Sequence, residues 1–186
     1  MGIRTTSRTA VFLDRDGILN ELVERDGRPV SPRFPEDFRI RCGAADAVHA
    51  LRQAGIPVFV ITNQPDVARG HLTAAALESM STMLRAAVPI DDLAVCPHDD
   101  ADGCGCRKPK PGMLVELAKR WDVDLEGSYM VGDSWRDVEA GRAAGCRTIL
   151  VSGAAPAESA PDLVVSDLWA AVLAITERHA GAPEPE

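Results

Sequence analysis

Short apolar runs alternate along this chain with stretches whose apolar residues recur every three or four positions. TAVFL (9–13), PVFVIT (57–62), LAVC (93–96), SYMVG (128–132), RTILV (147–151) and DLVV (162–165) have the length and content of buried strands. Between them lie helical patterns. AADAVHALRQAG (44–55) ends at Gly55, and a second helix runs from an N-cap at Thr73 to about Ala87. PGMLVELAKRWDV (111–123) has proline in its first turn, VEAGRAAG (138–145) is closed by Gly145, and Asp167 opens a last helix to about His179. This alternation predicts an α/β fold, a doubly wound and mostly parallel Rossmann-like sheet.

Residues 20–42 break the pattern. They show little periodicity, carry Pro29, Pro32 and Pro35, and read as a long loop or flap too short to be a large cap domain. Neither an internal repeat nor a second core is visible. One domain is expected over 1–178, with a disordered tail over 179–186, since GAPEPE offers nothing to pack.

Composition narrows the function. A chain of 186 residues that is 46% hydrophobic buries a core without disulfides. A net charge of -8 gains nothing from counterion release at a phosphate polymer, and 4% aromatic residues supply no stacking platform. Nucleic acid is therefore not an expected partner. No apolar run reaches the ~20 residues that span a bilayer, and the N-terminus lacks a signal-peptide pattern. A cytoplasmic monomer acting on a small molecule is the expectation. The five cysteines are an odd number, and three of them crowd between positions 96 and 106, which points to metal rather than disulfides.

In a doubly wound sheet, ligands sit beyond the carboxyl ends of the strands. Four segments deliver polar groups there. LDRDG (13–17) sets Asp14 and Asp16 two residues apart at a strand end, where one carboxylate can attack phosphorus while the other handles the leaving-group proton. As an isolated motif it is equally an acidic turn. VITNQ (60–64) offers the Thr62 hydroxyl and nearby amides to a phosphoryl oxygen, or merely a turn. CRKPKPG (106–112) places Arg107 and Lys108 just before a helix, where basic residues are otherwise mildly unfavourable. VGDSWRDVEAG (131–141) adds Asp133 as a third carboxylate for magnesium, a hard cation that takes oxygen ligands. Asp137 has a helix-start role or supports the site indirectly.

Taken in order, these segments resemble the haloacid dehalogenase superfamily of phosphotransferases, over about residues 9–151. The resemblance implies that Asp14 forms an aspartyl-phosphate and Asp16 is the acid/base. It further implies that Thr62 and Lys108 steady the phosphoryl group, and that Asp14, Asp133 and the Asp16 backbone carbonyl hold magnesium. A loop, CPHDDADGCGC (96–106), carries Cys96, His98, Cys104 and Cys106, a donor set that suits a closed structural zinc site. With it the chain resembles the bacterial heptose-bisphosphate phosphatases and the related histidinol-phosphate phosphatases. That narrower resemblance implies a phosphorylated sugar substrate, met by Arg107, by Thr62, Asn63, Gln64 and Pro65, and by Arg69 unless Arg69 is only a surface residue. Ile18, Pro65-Asp66 and Ser134 depart from the usual pattern without touching the nucleophile or the magnesium ligands.

Overall fold

A computed structural model of the protein describes residues 8–151 and 160–180. Six strands form one parallel sheet. In chain order they are β1 (Val11–Leu13), β4 (Val58–Asn63), β5 (Asp92–Cys96), β6 (Tyr129–Gly132), β7 (Arg147–Val151) and β8 (Leu163–Val165). Their spatial order is β5-β4-β1-β6-β7-β8, so β1 is flanked by β4 and β6. Strands buried on both faces need apolar residues at consecutive positions, which is why they read as short runs. Alternate residues feed different cores. Val11, Leu13, Val58 and Val60 pack on one face, where Val48, Leu51, Met80, Leu84 and Val172 meet them. Phe12, Phe59 and Ile61 pack on the other, under Met113, Leu114, Leu117 and Ala140.

The helices are α1 (Ala44–Gln53), α2 (Ala74–Ala87), α3 (Gly112–Trp121), α4 (Trp135–Ala144) and α5 (Leu168–Ala180). Thr73 caps α2 as expected, its hydroxyl accepting from the Ala76 N–H at 3.1 Å. Helix α4 begins three residues earlier than its apolar pattern suggested, because Ser134 and Asp137 close a capping box. Helix α5 runs through Ala180, two residues into the stretch expected to be tail, and residues 181–186 lie outside the described residues. Among the described residues no helix is long and apolar enough to cross a membrane.

The excursion at 20–42 holds more structure than a loop. Strands β2 (Val23–Arg25) and β3 (Arg28–Val30) form an antiparallel hairpin. Its turn is Asp26-Gly27, both at positive φ, the geometry of a two-residue type I′ turn. The ends of the excursion are tied together, Glu21 N–H donating to the Arg39 carbonyl at 2.8 Å and Arg41 N–H to the Leu19 carbonyl at 2.9 Å.

Candidate active site

Asp14 is the first residue past β1, and its N–H donates to the Val131 carbonyl of β6 at 2.9 Å. Thr62 and Asn63 end β4 on one side of it, and Asp133 follows β6 on the other. The sheet order therefore brings three widely separated segments to one edge. Lys108 arrives from the loop before α3 and is locked by Asn63. The Lys108 N–H donates to Asn63 Oδ1, and Asn63 Nδ2 donates to the Lys108 carbonyl, both at 3.0 Å.

Lys108 is 2% exposed, and its ammonium is the centre of the site. Nζ lies 2.8 Å from Asp14 Oδ1 and 2.7 Å from Asp137 Oδ1, and donates to the Ile61 carbonyl at 3.1 Å. Burial works against its charge, but the Asp137 and Asp14 carboxylates outweigh burial and hold it above the ordinary lysine value. Asp137 thus has two tasks. Its Oδ2 accepts from the Ser134 N–H at 3.0 Å and hydroxyl at 2.7 Å, starting α4, while its Oδ1 faces Lys108.

One oxygen from each of Asp14, Asp133 and Asp137 lies within 4.8 Å of the others. Three carboxylates face one ammonium, and the excess negative charge is felt. Burial, then Asp137, pushes the Asp14 carboxyl up to about 8 against the pull of Lys108. Burial and Asp137 likewise raise Asp133, which is open to solvent on one side, to about 6. An all-oxygen set short of positive charge fits a hard divalent cation such as magnesium. Gly17 lies against this cluster at φ +85°, and a Cβ there would stand 2.1 Å from Asp133 Oδ2. Glycine is required on both counts.

The Asp16 carboxylate turns to other partners. Arg15, fully buried, donates to Oδ1 from Nε at 3.1 Å and Nη2 at 2.9 Å, and Nη2 also reaches Oδ2 at 3.0 Å. Asn20 Nδ2 donates to Oδ1 at 3.0 Å, and Gln64 Nε2 to Oδ2 at 2.6 Å. The Asp16 carboxylate is thus engaged within the protein and stands outside the Asp14, Asp133 and Asp137 cluster.

The expected substrate contacts divide. Asn63 and Gln64 spend their side-chain amides inside the protein, on Lys108 and on Asp16 and Thr62, rather than presenting them to a ligand. Arg107 is 9% exposed and donates from Nε to Asp100 Oδ1 at 2.7 Å. Arg69 makes a two-pronged pair with Asp99, both contacts 2.7 Å, and this holds the Asp99 carboxyl down to about 2. Asp66, one of the departures from the usual pattern, receives Arg33 at 2.5 Å and lies 3.7 Å from Arg69. It joins the turn after β4 to the segment following the hairpin. A hollow of about 100 Å³ lies between Arg107, Lys108 and the 99–104 loop, and a larger cleft of about 710 Å³ opens beside Asp133 and Gly17.

The thiol loop closes on itself. Cys96 Sγ lies 3.6 Å from Cys104 Sγ and 3.1 Å from Cys106 Sγ, and the latter two are 3.5 Å apart. His98 Nδ1 lies 3.6 Å from Cys96 Sγ and 3.3 Å from Cys106 Sγ. These gaps are too long for disulfides, whose S–S bond is about 2.05 Å. Four donors around one zinc ion stand about 3.3–3.8 Å apart, so the set has nearly the dimensions of a tetrahedral site. Lys110 Nζ braces the loop by donating to the Gly103 and Cys104 carbonyls at 3.0 and 2.6 Å.

Comparison with known proteins places this site in context. The HAD-hydrolase-like family model matches residues 105–171. The D-glycero-beta-D-manno-heptose-1,7-bisphosphate 7-phosphatase of Pseudomonas aeruginosa is 41% identical over 150 residues, covering 78% of this chain and 82% of that one. The Escherichia coli protein of the same name is 35% identical over 176 residues, covering 86% and 89%. A crystal structure of the D,D-heptose 1,7-bisphosphate phosphatase of B. bronchiseptica, complexed with magnesium and phosphate, superposes with a TM-score of 0.76 at 34% identity, covering 91% of this chain and 99% of that one. With the strand-edge aspartates and buried lysine in place, the chain belongs to the haloacid dehalogenase-like phosphatases, in the group that contains the heptose-bisphosphate 7-phosphatases.

Proposed function

We propose that this chain is a magnesium-dependent phosphatase that removes the 7-phosphate of D-glycero-D-manno-heptose 1,7-bisphosphate through an aspartyl-phosphate. The observation that carries the reading is the buried Lys108 ammonium, within 2.8 Å of Asp14 and 2.7 Å of Asp137, with Asp133 beside them. A relative 41% identical over 150 residues carries the name of that activity. Asp14, Asp133 and the Asp16 carbonyl would hold magnesium, which supplies positive charge to the phosphoryl oxygens when bound.

Lys108 neutralises part of the phosphate charge and keeps Asp14 aimed. A carboxylate oxygen of Asp14 attacks phosphorus, the bond from phosphorus to the sugar oxygen breaks, and Asp16 gives that oxygen its proton. Asp16 then takes a proton from a water molecule, which attacks the phosphorus of the aspartyl-phosphate and releases inorganic phosphate. The Thr62 hydroxyl and Lys108 hold the phosphoryl group throughout. Arg107, Arg69 and Pro65 would border the sugar. Cys96, His98, Cys104 and Cys106 would hold zinc, which with four protein ligands would be structural rather than catalytic. In this reading the chain is a single-domain monomer of the cytoplasm, built around the six-stranded sheet.

A phosphate-release panel tests the reading. Heptose 1,7-bisphosphate should be the best substrate against histidinol phosphate and a 3′-phosphorylated oligonucleotide. Activity should vanish in EDTA and return with magnesium, with zinc added separately to distinguish the two metals. Full activity in chelator, or a clear preference for another ester, overturns the proposal.

A further inference from the structure

Gln64 stands between two of the groups that the proposed reaction needs. It is 2% exposed, and its Nε2 donates to Asp16 Oδ2 at 2.6 Å and to Thr62 Oγ1 at 2.8 Å. The amide orientation is set by chemistry. Arg15 Nη2 can only donate and reaches the same Oδ2 at 3.0 Å, so Oδ2 is an acceptor, the –NH2 end of Gln64 faces it, and a primary amide has two hydrogens for two acceptors. The backbone of Gln64 is anchored as well, its N–H donating to the Cys96 carbonyl at 2.7 Å.

The two bonds have different consequences. Asp16 Oδ1 is crowded by Asn20 and by two Arg15 nitrogens, whereas Oδ2 meets Gln64 and a shared Arg15 nitrogen. Gln64 therefore fixes the plane of the Asp16 carboxyl group on its less crowded side. By donating to Thr62 Oγ1 it also occupies that oxygen as an acceptor, leaving the Thr62 hydroxyl free to donate its own hydrogen to a phosphoryl oxygen. We infer that Gln64 is a positioning residue that couples acid/base Asp16 to phosphate-holding Thr62, and does not itself bind the sugar. The inference rests on the phosphatase reading above.

The leaving group distinguishes this role from a merely structural one. A sugar alkoxide needs a proton as it departs, whereas p-nitrophenolate leaves without one. The comparison uses kcat/KM, which reports the step up to phosphoryl transfer to Asp14, for heptose bisphosphate and for p-nitrophenyl phosphate. In Gln64→Leu, of similar volume, kcat/KM for the sugar ester should fall about 10²-fold, and that for the aryl ester by about tenfold less. The shared part of the loss reflects Thr62, and the difference reflects Asp16. Gln64→Asn, which withdraws the amide by one methylene, reads the same ratio if the leucine variant does not fold. A ratio within about twofold of wild type overturns the coupling, whether both rates fall together or neither changes. A wild-type protein that hydrolyses neither ester overturns the phosphatase reading itself, a separate outcome.

Discussion

The strand-edge site and the thiol loop both gather side chains that could hold a metal, but they are built in opposite ways. Asp14, Thr62, Lys108 and Asp133 come from four distant segments, three of them fixed by neighbouring strands of one sheet. Cys96, His98, Cys104 and Cys106 come from one stretch of eleven residues, which after β5 contains only a single 3₁₀ turn. The first cluster is shaped by the core, and a cation enters a frame that already exists. The second has little regular secondary structure of its own, and a metal held there would supply what strands supply elsewhere. Losing a ligand should therefore mean different things in the two places: lost chemistry without lost structure in one, and lost structure first in the other.

The sharpest test is Asp14→Asn. Turnover should fall about 10⁴-fold or more, because an amide cannot act as the nucleophile. The variant removes one of three crowded carboxylates, so Tm measured in chelator should hold or rise. A fall of many degrees would mean that the frame depends on this side chain. Gly17→Ala attacks the frame itself. The new methyl group would meet Asp133 and the φ of +85° would be strained, at a cost of about 1–3 kcal/mol. We expect a loss of about 10²-fold in kcat/KM with a raised magnesium requirement, read from rate against magnesium concentration.

Cys104→Ser tests the other half. Elemental analysis should find about one zinc per wild-type chain and little in the variant. Tm should fall by several degrees and kcat/KM about tenfold, since Arg107 and Lys108 directly follow the last ligand and would be held less firmly. Far-UV circular dichroism should stay close to wild type because the sheet still forms. A metal-free wild type with full activity would sink the idea that the loop is metal-built. The smallest effect is expected from Lys110→Ala, which removes the exposed brace on the Gly103 and Cys104 carbonyls. Zinc should leave faster in a chelator competition assay, while kcat/KM stays within about threefold of wild type.

The same contrast explains what could be read from residue order. Strands buried on both faces announce themselves as apolar runs, and all six sheet strands were legible to within a residue or two. The thiol loop was legible because its ligands are close in sequence. The β2–β3 hairpin was not read, since Val23 and Val30 are nearly its only apolar residues and Pro29 argues against a strand. A signal was there in Asp26-Gly27, the dipeptide that favours a two-residue hairpin turn. Asp137 looked like a helix start and is one, but nothing local reveals that its other oxygen meets Lys108. The inward turn of Asn63 and Gln64, and the capture of Arg69 and Arg107 by Asp99 and Asp100, are equally hidden, because each depends on contacts between separate segments.

Strand β1 has only three residues, yet Val11 must align with Val58 on one side and with Tyr129 on the other before Asp14 reaches its place. Both pairings are long-range, and contacts of that kind form slowly because the intervening chain must first be closed. Recovery of phosphatase activity during refolding should accordingly lag behind recovery of helical signal, making enzymatic turnover a reporter for the insertion of this short central strand.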